Sequence, residues 1–187
     1  MLRRFLVIML CFIFFVGCDA GEDAMDDALQ LRQNLFGCSH CSFDCTITAD
    51  YSDRIYSFSL QCSFDGQGNM EFSVIEPNSI SGITGKMDAK GGKLTFDDQV
   101  LMFPMLADGY ISPVSAPWLL MQTLRGGYIH SAVQTENGGY FVYHDTFCEE
   151  SLQVDVWTDD SGNPNAAEIL WKGRRILTVT VTNFSCV

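Results

Sequence analysis

The sequence is poor in basic residues. It has 11 lysines and arginines against 23 aspartates and glutamates, which gives a formal net charge of −12. A protein that binds nucleic acid through its phosphates needs a basic surface, so this charge balance argues against such a partner. The GxSxG, HExxH and P-loop motifs indicate common catalytic or nucleotide-binding sites. None of them accompanies the three histidines of this sequence. The sequence therefore predicts neither an enzyme nor a cofactor.

The remaining composition is that of one globular domain. The chain has 187 residues, of which 47% are hydrophobic and 18% are charged. Chains of about 100–200 residues usually form one domain, and this composition excludes disorder and a coiled coil. Eight cysteines are present, more than is usual for a cytosolic domain of this size, which favours export.

The N-terminal segment has the pattern of an export signal. Arg3 and Arg4 precede an unbroken apolar run of twelve residues from Phe5 to Val16, which is too short to span a bilayer and typical of a signal-peptide core. The run ends in Gly17-Cys18 and resembles the lipobox of bacterial lipoproteins. This resemblance implies acylation of the Cys18 thiol, with palmitate or a similar chain, and cleavage before it. The alternative is an ordinary signal peptide that is cleaved nearby.

The resulting division is a signal peptide at residues 1–17, an acidic tether at 18–24 and a single domain at 25–187. Removal of the signal leaves nine bases and 23 acids, a net charge of −14. An anionic bilayer surface repels such a domain, so the acyl chains would provide its membrane affinity. We expect a lipid-anchored protein on the extracytoplasmic face of the cell membrane.

The rest of the chain predicts an α+β fold that consists mostly of antiparallel sheet. Apolar residues recur at helical spacing over 23–36, and Ser115 is a suitable N-cap for a second helix that ends near Leu124. Between and after these helices, period-two alternation and glycine-rich turns predict eight or nine strands. We expect this sheet to be curved around the N-terminal helix and the inserted helix.

The first hairpin has the clearest pattern. Odd-numbered residues are apolar over 43–51 and even-numbered residues are apolar over 56–64, so directly opposed residues must have numbers with an odd sum. A loop of residues 52–55 pairs Tyr51 with Tyr56. The same register places Cys45 opposite Cys62.

The order of these elements, after a lipobox, resembles the lipoprotein carriers LolA and LolB. Four segments, 74–85, 103–113, 116–129 and 167–181, are also similar to uncharacterised lipoproteins of Gram-positive anaerobes. The resemblance implies an open half-barrel around helices, with a concave apolar cavity. The chain differs from LolA in that LolA is not lipidated, whereas LolB is.

Six cysteines remain in the mature chain, and three of them form a C-x2-C-x3-C pattern at Cys38, Cys41 and Cys45 that encloses His40. Such a pattern is compatible with zinc, for which His40 or Cys62 would be the fourth ligand. Export favours disulfides over metal sites, so we predict no metal and a Cys45–Cys62 disulfide, and free buried thiols are the remaining alternative. Pairings of the other four remain open: Cys38, Cys41, Cys148 and Cys186.

Aromatic, leucine and methionine side chains dominate the predicted inner face. Either they form a packed core, or they line a cavity whose adaptable walls accept an acyl chain. The candidate cavity residues are Tyr56, Phe58, Leu60, Met70, Phe72, Phe96, Met102 and Trp157. Eight or nine strands have more inner face than two short helices can cover, which favours the cavity.

These observations predict a non-catalytic, membrane-anchored lipoprotein that binds a lipid, an acylated polypeptide or another apolar ligand. The alternative is an envelope interaction module that docks a partner protein, such as a peptidoglycan-modifying enzyme. A filled core with an exposed apolar patch would favour this alternative.

Overall fold

Alternating polar and apolar residues form ten strands in a computed structural model, which describes residues 20–89, 91–95, 111–144 and 152–187. The strands are β1 (His40–Asp50), β2 (Ile55–Asp65), β3 (Met70–Glu76), β4 (Thr84–Asp88), β5 (Gly91–Thr95), β6 (Tyr128–Thr135), β7 (Gly138–His144), β8 (Leu152–Thr158), β9 (Pro164–Trp171) and β10 (Arg174–Cys186). The predicted signal peptide, Cys18, Phe96, Met102 and Cys148 lie outside the described residues.

The ten strands form one antiparallel sheet in the order β5-β4-β3-β2-β1-β10-β9-β8-β7-β6. Because β10 pairs with β1, the two ends of the domain meet in the middle of the sheet. Within the described residues, β5 and β6 are its unjoined edges. This open sheet with its two helices confirms the predicted half-barrel fold, with one strand more than the upper count from the sequence.

Two helices lie on the apolar face of the sheet. Helix α1 (Ala20–Gly37) packs against β6 and β7, and helix α2 (Ala116–Gly126) follows a short 3₁₀ turn at Pro113–Ser115 and contacts β2 and β10. The helices also pack against each other. They bury apolar residues at helical spacing: Ala24, Ala28, Leu31 and Leu35 on α1, and Leu120, Met121 and Leu124 on α2.

The register predicted for the first hairpin is wrong by one pair. Asp50 lies opposite Ile55, and Cys45 lies opposite Leu60 and not Cys62. The turn explains this shift, because the Asp50 carboxylate accepts a hydrogen bond from the amide of Ser52 at 2.7 Å and Ser52 has a φ of 73°. The apolar positions still share one face, since either register keeps the required odd sum.

The β2–β3 and β8–β9 connections have the same construction, D-x-x-G-N. One carboxylate oxygen of Asp65 accepts hydrogen bonds from the amides of Gln67 and Asn69 at 2.9 and 2.8 Å. Asp159 makes the equivalent bonds two and four residues further along the chain. The glycine in each turn has a positive φ, which glycine adopts without steric cost.

Candidate ligand-binding face

The inner face of β1–β3 is apolar along its length. Phe58 and Leu60 on β2 and Met70 and Phe72 on β3 are all buried, and they belong to one continuous core with the buried residues of α1 and α2. Strand alternation turns every second side chain toward this core. The structure therefore brings together four of the eight candidate cavity residues, as walls of a packed interior.

Helix α2 is fixed over one end of this face by hydrogen bonds to a turn. Trp118 Nε1 and Gln122 Nε2 both donate to the carbonyl oxygen of Gly68 at 3.0 Å. Arg125 donates to the carbonyl oxygen of Gly66 at 2.8 Å. A larger residue at Gly68 would be strained by the φ of 94°, and Gln122 Nε2, 2.9 Å from the position of its Cβ, would have to move. These contacts join α2 to the β2–β3 turn and close that end of the inner face.

The other end of the face, at the β1–β2 turn, is open to solvent. Tyr56 is 44% exposed, and its ring meets that of Tyr51 edge to face with centroids 5.5 Å apart. Arg54 donates to the Tyr56 hydroxyl at 3.2 Å. Burial, with a smaller contribution from Tyr56, raises the pKa of Tyr51. Tyr56 thus lies at the rim of the inner face and not inside it.

Trp157 was predicted on the inner face, and this prediction is wrong. Val154 and Val156 of β8 are in the core, so Trp157 points to the opposite side of the sheet. There its ring packs against Tyr140 with centroids 4.9 Å apart. The Tyr140 hydroxyl donates to Asp155 at 3.0 Å, and burial together with this bond raises the pKa of Tyr140 to about 12.

The structure contains a disulfide between Cys41 and Cys186, which joins the start of β1 to the end of β10. The predicted Cys45–Cys62 disulfide is absent. Both are buried free thiols on a diagonal of the hairpin, with their sulfurs 3.7 Å apart. The wrong register accounts for this error, since Cys45 and Cys62 are not directly opposed.

Cys38 completes a group of three with the disulfide. The sulfur atoms of Cys38, Cys41 and Cys186 lie within 4.8 Å of one another. The C-x2-C-x3-C pattern is therefore divided, because Cys45 points into the core with Cys62 and only the first two cysteines belong to this cluster. The contribution of Cys186 comes from 145 residues away, and nothing in the local spacing could have predicted it.

A groove of about 660 Å³ crosses the outer face of β1–β4. Its polar contacts include an ion pair between Lys86 and Glu71 and a 2.7 Å hydrogen bond from Asn183 to Asp44. Sequence analysis did not identify this groove, although the polar residues of the alternating strands line it. The Lys86–Glu71 pair is exposed, so it contributes little to stability.

No helix of the described residues is long and apolar enough to cross a membrane.

The chain is similar to known proteins at the level of fold only. No family model matches the chain, and no curated protein matches it.

Three solved structures have a similar backbone fold. A DUF1329 family protein from Desulfovibrio piger has 7% identity and a TM-score of 0.47, with 90% of this chain and 94% of that chain covered. The LolA superfamily protein NE2245 from Nitrosomonas europaea has 13% identity and a TM-score of 0.43, with coverages of 87% and 92%. The Pseudomonas aeruginosa MucA/MucB complex has 14% identity and a TM-score of 0.41, with coverages of 88% and 57%. Two of these neighbours are thus covered over nearly their whole length.

Proposed function

We propose that the chain is a non-catalytic envelope protein, anchored by an acylated Cys18, that binds an apolar ligand on the inner face of its half-barrel. The ligand would be a lipid or the acyl chain of a lipidated polypeptide. The support comes from the ratio of sheet to helix and from the chemistry of the inner face.

The sheet is much wider than the described helices. Ten strands spaced by about 4.8 Å span roughly 45 Å, whereas two helices of about 10 Å diameter cover roughly 20 Å. Helix α1 packs on β6 and β7, and α2 reaches β2 and β10. The apolar inner residues of β3, among them Met70 and Phe72, lie beyond the strands that these helices mainly contact. Both residues are nonetheless buried, so the width of this continuous apolar inner face, and not an exposed patch, is the observation that supports the proposal.

A pair of matched substitutions tests where the ligand binds. Phe72→Ala on β3 and Phe141→Ala on β7 each remove a buried ring, but only Phe141 lies on a strand that α1 mainly contacts. Truncation of a packed phenylalanine costs about 3–5 kcal/mol. Urea unfolding and titration with a fluorescent long-chain fatty acid give the stability and the affinity of each variant.

Both truncations should cost stability because both rings are buried, but the proposal expects only Phe72→Ala to weaken fatty-acid binding, by several-fold, while the variant remains folded. Phe141→Ala should lose the full packing energy and keep the wild-type affinity while it remains folded. The opposite assignment, or equal effects of the two variants on affinity, would place the ligand elsewhere.

An envelope interaction module is the second candidate, and one observation favours it. Two large aliphatic residues on the strands β2 and β3 are exposed, Ile55 at 69% and Ile75 at 43%. Isolated exposed apolar residues are common on protein surfaces. These two therefore support a docking surface only if the protein is also found not to bind a fatty acid. A folded wild type that binds no fatty acid would leave protein docking as the better account.

A further inference from the structure

Three cysteine sulfurs lie together where the N-terminal helix, the first strand and the last strand meet. Cys41 and Cys186 form the disulfide, and the free thiol of Cys38 is within 4.8 Å of both sulfurs. Cys38 follows directly after α1 and is half-buried. Its thiol donates a hydrogen bond to the carbonyl oxygen of Asn34 at 3.0 Å.

The backbone holds the free thiol beside the disulfide. The amides of Ser39 and His40 both donate to the carbonyl oxygen of Val187, at 2.7 and 3.0 Å, and the Ser39 hydroxyl donates to the same atom. The residue after Cys38 is thereby bound to the residue after Cys186. Rotation about the side-chain bonds of Cys38 is then the main movement needed to bring its sulfur into contact with the disulfide.

We propose that Cys38, Cys41 and Cys186 form a thiol–disulfide exchange site in which Cys38 is the attacking group. The Cys38 thiol loses its proton to solvent, and the thiolate attacks the sulfur of Cys41. A Cys38–Cys41 bond forms as the Cys41–Cys186 bond breaks, and Cys186 leaves as a thiolate that takes a proton from solvent. One disulfide is exchanged for another, so the step consumes no oxidant or reductant.

Burial decides which sulfur is attacked. Cys41 is 3% exposed, whereas Cys186 is half-buried. Exchange is faster when the leaving thiolate is the better stabilised one, and a thiolate is destabilised in apolar surroundings. Cys186, which has access to water, is therefore the leaving group and Cys41 is the central sulfur.

The exchange changes what the covalent bond connects. In the form observed, the bond closes a loop of 145 residues and ties β10 to β1. In the exchanged form it spans only Cys38 to Cys41 and leaves the end of β10 held by hydrogen bonds. The site would thus release or fasten the last strand in the middle of the sheet.

Peptide mapping of the oxidised full-length chain tests the proposal. The protein is incubated at mildly alkaline pH without added thiol or oxidant, quenched in acid, labelled with an alkylating reagent and digested with trypsin. Cleavage after Arg32, Arg54 and Arg175 gives a peptide 33–54 with Cys38, Cys41 and Cys45, and a peptide 176–187 with Cys186. The exchanged form yields a bond inside the first peptide and a labelled second peptide.

Wild type should label Cys186 at least about tenfold more than Cys38→Ala does, because exchange requires the attacking thiol. Cys45→Ala removes another free thiol from the same peptide and should behave as wild type. Equal labelling of Cys186 in wild type and Cys38→Ala would overturn the proposal. So would stoichiometric zinc in the purified protein with all three thiols reduced, which would instead identify a metal site.

Discussion

Arg32 on α1 binds the end of α2 through two hydrogen bonds. Its Nε donates to the carbonyl oxygen of Leu124 at 3.1 Å, and its Nη2 donates to that of Gly127 at 2.5 Å. The last carbonyls of a helix have no partner within the helix and carry partial negative charge. One guanidinium thus satisfies the carbonyl of Leu124 in the last turn of α2 and that of Gly127 just after it, and joins the two helices.

Replacement of Arg32 by alanine should destabilise the fold by about 1.5–3 kcal/mol, the range for hydrogen bonds that involve a charged group. Arg32→Lys should recover part of this loss, because it keeps a cation near the end of α2. Urea unfolding of the three proteins measures both differences. An alanine variant as stable as wild type would show that these bonds contribute nothing net.

Tyr143 on β7 is fully buried, and its hydroxyl has no hydrogen-bond partner within the part of the chain that is described. Burial raises its pKa from 10.0 to about 12, against a smaller opposing effect of Arg32. Because an unpaired buried hydroxyl is costly, Tyr143→Phe should leave stability unchanged or raise it by about 1 kcal/mol at neutral pH.

The same residue predicts a pH dependence. Between pH 10 and 12 the folded chain retains a proton on Tyr143 that the unfolded chain has lost, so the free energy of unfolding falls as the pH rises. Tyr143→Phe removes this term, and its advantage over wild type should grow by about 2–3 kcal/mol across that interval. If the difference in the free energy of unfolding between Tyr143→Phe and wild type stays constant from pH 10 to 12, the raised pKa of Tyr143 is contradicted.

The paired thiols of Cys45 and Cys62 should be inert in the folded protein. Their mutual hydrogen bond and burial raise the pKa of Cys62, and a protonated, buried thiol is a poor nucleophile. Alkylation should therefore modify both residues only after unfolding, as peptide mass spectrometry can show. Recovery of a Cys45–Cys62 disulfide from native protein would contradict this and restore the pairing predicted from the sequence.

The proposed membrane attachment depends on acylation of Cys18. Replacement by alanine should release the protein from membranes or leave it unprocessed, since a domain with a net charge of −14 has no electrostatic attraction to anionic lipid. Fractionation and immunoblotting distinguish these forms. A processed Cys18→Ala protein that still sediments with membranes would show that something else holds it there.

The fold could be predicted from the sequence because strand periodicity is a local property. Alternation over 43–51 and 56–64 identified the buried face of the first hairpin, although the hydrogen bond of Asp50 in the turn shifted the register. Alternation also predicts the face on which Trp157 lies. Its neighbour Val156 is buried, and adjacent residues of a strand point to opposite faces of the sheet.

The site was harder to predict because it depends on distant parts of the chain. Burial of Phe58 and Phe72 follows from their strands, but which strands a helix covers is decided by the packing of α1 and α2. The disulfide partner of Cys41 is set by the pairing of the first and last strands. The spacing of residues along the chain predicts neither the packing of the helices nor this strand pairing.

Native mass spectrometry of the chain purified in mild detergent tests the central claim, that the half-barrel binds an apolar ligand, most directly. The same sample is measured under native and denaturing conditions, so that the covalent anchor appears in both spectra and a bound lipid appears only in the first. The account predicts an additional lipid mass that denaturation removes and that Phe72→Ala diminishes. Identical masses under the two conditions, in protein shown to be folded, would contradict it.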